Sequence, residues 1–212
     1  MTVTPIGTPG VYRGIFMDPT GVIFISDSTV RNSFKYLSSG ATEILTFKYF
    51  VTAFVGSTVE TSDELIATVT VIGVNDAPTA VSDSYSYTLG ASLNMSVLAN
   101  DTDPDLIDTK TIVALKSADG SITDTTPTDG LAITVNAGTI SLNQNGTLNF
   151  TAANGFTGTS SFQYTIRDSG GLESTATVNL VPLLSAANDT YSLDEDTALI
   201  INPLLNDLGS SI

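Results

Sequence analysis

The chain has no cysteine, no histidine and no tryptophan in its 212 residues. Thiol and imidazole chemistry are therefore excluded, and with them disulfides and the commonest zinc and copper sites. Cysteine absence does not fix a reducing compartment, because domains of about a hundred residues bury enough core to fold without disulfides. Basic residues are also scarce, with 7 Lys+Arg against 22 Asp+Glu and a formal charge of −15. Such a chain repels nucleic acid and anionic lipid, so neither is expected as a partner. Long hydrophobic runs are missing too. The strongest apolar stretch, Leu45 to Val55, is broken by Lys48 and falls short of the roughly 20 residues a spanning helix needs, so no membrane insertion is expected. Met1-Thr2-Val3-Thr4-Pro5 carries neither a basic n-region nor an apolar h-region, so no signal peptide is expected there, and an export address is expected elsewhere in a longer parent chain.

What the chain does have is a repeat. Asp83, Tyr85, Leu93, Leu98, Asn100 and Asp101 each return 106 residues later, at Asp189, Tyr191, Leu199, Leu204, Asn206 and Asp207. A period near a hundred residues predicts an array of whole domains. Carboxylates at this density favour hard cations, Ca²⁺ above all.

The local pattern is β throughout. Thr occurs 32 times, and β-branched residues suit a pleated, half-buried surface. Phe162, Tyr164 and Ile166 alternate with Gln163, Thr165 and Arg167, and Ala176, Val178 and Leu180 alternate with Thr175, Thr177 and Asn179. Leu45, Phe47, Tyr49 and Val51 do the same, as do Leu65, Ala67, Val69 and Val71. Asp18-Pro19-Thr20-Gly21, Asn145-Gly146, Asn154-Gly155 and Asp168-Ser169-Gly170-Gly171 supply turns. Short strands at this spacing predict all-β, antiparallel sandwich domains in tandem. Pro78 blocks a continuing ladder and marks the first junction. The expected organisation is an incomplete repeat over 1–76, a complete one over 79–184, and the opening strands of a third over 186–212.

Two motif sets carry a family resemblance. Gly138-Thr139-Ile140-Ser141-Leu142, Asn145 to Phe150, Gly155-Phe156-Thr157-Gly158 and Phe162 to Asp168 resemble the bacterial cadherin-like repeat. Gly14 to Gly21, Tyr36-Leu37 and Val71 to Pro78 are similar to the VCBS-type repeat. The resemblance implies an immunoglobulin-like sandwich from a very large secreted bacterial protein, an RTX-type adhesin. It also implies Ca²⁺ near domain junctions, stiffening the array at the bacterial cell surface.

Each candidate ligand has two readings. Asn100, Asp101, Asp103 and Asp105 place three carboxylates at alternate positions, which either wrap one ion or form a solvated acidic turn. Three like charges this close repel unless a cation offsets them. Asn75 and Asp76 match the family's linker motif, as ligands or as a linker turn. Asp168 and Glu173 sit at a hairpin tip, as ligands or as turn residues. The repeats also differ: Ala53 stands in the place of Asp168, Gly209 and Ser211 stand for Asp103 and Asp105, and Val181-Pro182 stand for Asn75-Asp76. Asp194, Glu195 and Asp196 are a substitute cluster or a solvated turn.

No P-loop, GxSxG or metalloprotease motif appears, and no Trp is present to stack a sugar, so no enzyme is expected. Three roles are compatible with this sequence. One is a Ca²⁺-stiffened extender of an extracellular adhesin, whose partners are neighbouring repeats of its own or identical chains. The second is a subunit of a self-assembling filament or layer joined by strand complementation. The third is a module binding surface glycan or another cell.

Overall fold

The structure, a computed structural model, describes residues 2–5, 15–17, 23–25, 34–121, 123–125, 132–183, 188–196 and 198–201. The predicted turn at Asp18 to Gly21 lies outside these residues, as does the part of the third repeat beyond Ile201. Among the described residues the only helical element is one short 3₁₀ turn, Val97–Ala99; the rest of the regular structure is β. The chain divides into two compact units, Met1–Ala77 with Asp103–Asp108, and Pro78–Thr102 with Thr109–Ile212.

In the first unit the long strand β4 (Thr42–Val55) pairs with β1 (Thr2–Pro5), β5 (Thr58–Thr61) and β6 (Leu65–Ile72), all antiparallel. A separate hairpin joins β2 (Ile15–Met17) to β3 (Ile23–Ile25). Phe34, Leu37 and Leu45 form the buried cluster of the first unit among the described residues, with Tyr36, Ala41 and Val71 packed against them. Gly73 closes this cluster: a Cβ there would stand 2.3 Å from the Leu37 carbonyl oxygen, so only glycine lets the two backbones approach.

The second unit is a two-layer sandwich. One sheet runs β10 (Thr123–Asp124), β9 (Thr111–Ser117), β14 (Ser160–Arg167), β15 (Glu173–Pro182), β7 (Asp83–Tyr87). The other runs β11 (Ala132–Val135), β12 (Gly138–Leu142), β13 (Leu148–Ala152), β8 (Ser92–Met95). The expected antiparallel architecture is found, with one exception: β7 pairs parallel with β15, Asp83 opposite Val178 and Tyr85 opposite Leu180.

Period-two patterning places the core. Phe162, Tyr164, Ile166, Val178 and Leu180 are fully buried between the sheets, while Arg167 is exposed and Gln163, Thr165 and Thr177 remain partly open. On β9 the spacing breaks, with Ile112 and Leu115 both inward. A bulge accounts for this: Thr165 faces Ala114 but Ile166 faces Ile112, so the extra residue restores the inward register. Tyr87 meets Phe150 edge-on, ring centroids 5.3 Å apart, and its hydroxyl donates to the Gly158 carbonyl at 2.8 Å.

Candidate metal centre

The unit boundary divides the acidic residues. Asp101 belongs to the second, and Asp103, Asp105 and Asp108 to the first.

In the first unit, the Asp76 amide donates to Asp105 Oδ2 at 2.8 Å, and the Asp105 amide donates to Asp103 Oδ1 at 2.9 Å. The Asp108 amide then donates to the Asp105 carbonyl at 3.1 Å, and the Leu106 amide to the Tyr36 carbonyl at 3.4 Å. These bonds fold the loop so that Asp105 is 1% exposed. Its Oδ1 is buried and meets no hydrogen-bond donor among the described residues. Asn75 Oδ1 and Asp103 Oδ2 are likewise shielded from solvent. Carboxylate oxygens of Asp103 and Asp108 lie within 4.8 Å of each other. A buried carboxylate oxygen without a donor carries a full desolvation cost, and adjacent carboxylates add repulsion. One hard, oxygen-seeking cation offsets both, so these residues fit Ca²⁺. Asp76 has a second contact: its Oδ1 lies 3.7 Å from Lys35 Nζ. Asp108 is absent from the sequence candidates, although it extends the same run of acids three residues past Asp105.

In the second unit the carboxylates have protein partners. Asp101, 6% exposed, accepts the Val81 amide at 2.7 Å on Oδ1 and lies 3.0 and 3.2 Å from the Tyr164 hydroxyl through its two oxygens. That hydroxyl also lies 3.0 Å from the Val81 carbonyl and 3.3 Å from Asp83 Oδ2 and the Val97 carbonyl. It has one proton for these acceptors. Burial, then the hydrogen bond and charge of Asp101, push the Tyr164 phenol well above its ordinary value of 10.0. Burial also raises the Asp83 carboxyl, the Tyr164 hydrogen bond opposing and the Asp101 charge reinforcing that shift.

Asn100 donates to the Val81 carbonyl at 3.3 Å. Asp168, 4% exposed, accepts the Leu172 amide at 2.8 Å and caps the β14–β15 turn. Glu173 accepts Arg167 Nε at 2.8 Å across the start of that hairpin.

An open cleft of about 580 Å³ lies at one end of the second unit, lined by Ser117, Asp119, Asn136, Ser161 and Asn179 among others. Asp119 is the single carboxylate among its described lining residues, whereas glycoside hydrolysis uses a pair.

A family model described as "Bacterial cadherin-like domain" matches residues 75–183, just over half of the chain. The chain belongs to the bacterial cadherin-like family. The match starts at Asn75, the first residue of the Asn75-Asp76-Ala77-Pro78 motif. Among solved structures, human CDH23 EC21-23 superposes with a TM-score of 0.53 at 15% identity, covering 86% of this chain and 62% of that one. Mouse cadherin-23 EC22-24 is similar at 14% identity with a TM-score of 0.46, covering 86% and 52%. The chain therefore spans less than two thirds of the length of either structure. The first of these likenesses shows the cadherin fold. No curated protein matches the chain. The cadherin-like domain is an extracellular, adhesion-type module.

Proposed function

We propose that this chain is a Ca²⁺-stiffened extender within an adhesin displayed on a bacterial cell surface. The observation that carries the reading is Asp105, a carboxylate 1% exposed with one oxygen that no described donor reaches. Asn75, Asp76, Asp103, Asp105 and Asp108 would hold the ion. Calcium, when bound, supplies the positive charge that these carboxylates lack. The Asp76 and Asp105 amides orient Asp105 and Asp103 in advance, so less ordering remains for binding. Lys35 competes for Asp76 and sets a limit on that residue's share. The net charge of −15 supports the same reading, since it makes the chain self-repelling without cations.

Asp101, Asn100, Asp168 and Glu173 enter this proposal as residues that shape the loop and the hairpin in the second unit. Their described hydrogen bonds are sufficient for that role.

The test is thermal unfolding in EDTA and in millimolar Ca²⁺. Ligand linkage gives about 2.7 kcal/mol at a hundredfold excess over Kd. The proposal expects a clear rise in Tm with Ca²⁺ and a smaller one with Mg²⁺. Coincident melting curves in EDTA and Ca²⁺ refute it.

A further inference from the structure

Asparagine followed by glycine occurs twice in the chain, at Asn145-Gly146 and at Asn154-Gly155, and both asparagines are exposed. The pair is chemically weak because glycine has no Cβ to shield its backbone nitrogen, which stands next to the asparagine side-chain carbonyl carbon. Attack within the chain needs no second reactant to be brought in. Exposure does not separate the two sites, but hydrogen bonding does.

At Asn145, in the turn between β12 and β13, both reacting groups are held. The Gly146 amide donates to the Asn143 carbonyl at 3.0 Å. Asn145 Oδ1 accepts the Thr147 amide at 3.2 Å and the Thr147 hydroxyl at 2.7 Å. At Asn154, in the turn between β13 and β14, the turn's own bond runs from the Phe156 amide to the Ala153 carbonyl at 3.5 Å. Gly155 takes φ +78° at the third position, as a type II turn requires, and that bond leaves its amide unused. Among the described residues no hydrogen bond reaches the Asn154 side chain or the Gly155 amide. Beyond its chain neighbours, nothing lies within 4 Å of where a Gly155 Cβ would stand.

We propose that Asn154 is a deamidation site of the folded protein, and that the fold protects Asn145 from the same reaction. The Gly155 backbone nitrogen gives its proton to solvent base and bonds to Asn154 Cγ. The Cγ–Nδ2 bond breaks and Nδ2 leaves as ammonia, which closes a succinimide ring. Water then opens the ring at either carbonyl carbon, giving aspartate or isoaspartate. One water is consumed and one ammonia released, with no oxidation. Each event adds a negative charge to a chain already at −15. The isoaspartate product also routes the main chain through Asn154 Cβ and Cγ, lengthening the turn just before the Phe156 and Gly158 carbonyls that the Tyr87 hydroxyl meets at 3.3 and 2.8 Å. At Asn145 the Gly146 bond must be released before attack, which slows that site about tenfold, the rate equivalent of one hydrogen bond.

The test is peptide mapping by mass spectrometry on the full chain, aged folded in mildly alkaline buffer and, in parallel, in concentrated guanidinium chloride. In the folded chain, aspartate and isoaspartate should accumulate at Asn154 at least about tenfold faster than at Asn145. In denaturant the two rates should converge, because both sites are then bare Asn-Gly pairs. The folded Asn154→Gln variant, altered only at an exposed position, should lose the fast modification and keep the slow one at Asn145. A folded chain that deamidates as fast at Asn145 as at Asn154 overturns the proposal. So does an Asn154 that stays intact in the folded chain while the denatured sample reacts. A preference for Asn154 that persists unchanged in denaturant also overturns it, since local sequence and not the fold would then set the rate.

Discussion

The Tyr164 hydroxyl lies 3.0 Å from Asp101 Oδ1 and 3.2 Å from Oδ2, joining the middle of β14 to the acidic loop inside the second unit. A phenol and a carboxylate buried together stabilise each other only while the phenol keeps its proton.

Tyr164→Phe should therefore cost about 1.5–3 kcal/mol, the usual range for a hydrogen bond to a charged group. Chemical denaturation measures it. The phenol's raised pKa also fixes the sign of the alkaline response. Its contribution is complete below pH 10, where the unfolded chain keeps the proton as well, and is lost as pH rises beyond that. Wild type should lose stability above pH 10 more steeply than Tyr164→Phe. The residual slope comes from Tyr85 and Tyr87, whose phenols burial also raises.

Asp119 behaves in the opposite sense. Hydrogen bonds from Ser117 Oγ at 2.7 Å, and from the Ser121 amide and hydroxyl at 3.0 and 2.7 Å, lower its carboxyl from 3.8 to about 2. Its contribution is present above pH 3.8 and is lost as pH falls through about 2. Carboxyl-carbon NMR should show a midpoint near 2 in wild type, and one displaced towards 3.8 in Ser117→Ala.

Phe162→Ala should destabilise by about 3–5 kcal/mol, since the ring is fully buried and its removal leaves a cavity. Gln163→Ala, on the opposite face of the same strand, should change stability by less than about 0.5 kcal/mol. Equal losses in the two variants would contradict the register of β14.

The β14–β15 hairpin was legible in the sequence because one face of each strand is buried, and burial on one face imposes period two. The parallel neighbour of β15 was not. Asp-Ser-Tyr-Ser-Tyr in β7 alternates correctly, but alternation says nothing of direction or partner. The bulge at Val113 left no trace either, because nothing local in Thr111–Ser117 distinguishes an extra residue from a shift of face. In the acidic loop, spacing grouped Asp101, Asp103 and Asp105. Between them the backbone changes course, and Asp101 turns to Tyr164 while Asp105 meets the Asp76 amide. Alternate positions share a face only in a strand. Lys35 beside Asp76 was hidden by a separation of about forty residues along the chain.

Calcium titration calorimetry on wild type and Asp105→Asn tests the central claim most directly. The carboxylate is replaced by an amide of the same size, so the loop keeps its shape while the charge at the buried Oδ1 position is removed. Affinity for Ca²⁺ follows the number of charged ligands, so the account predicts saturable binding to wild type and binding at least about tenfold weaker to the variant. Wild type that binds no Ca²⁺, or a variant that binds it as tightly as wild type, would contradict the account.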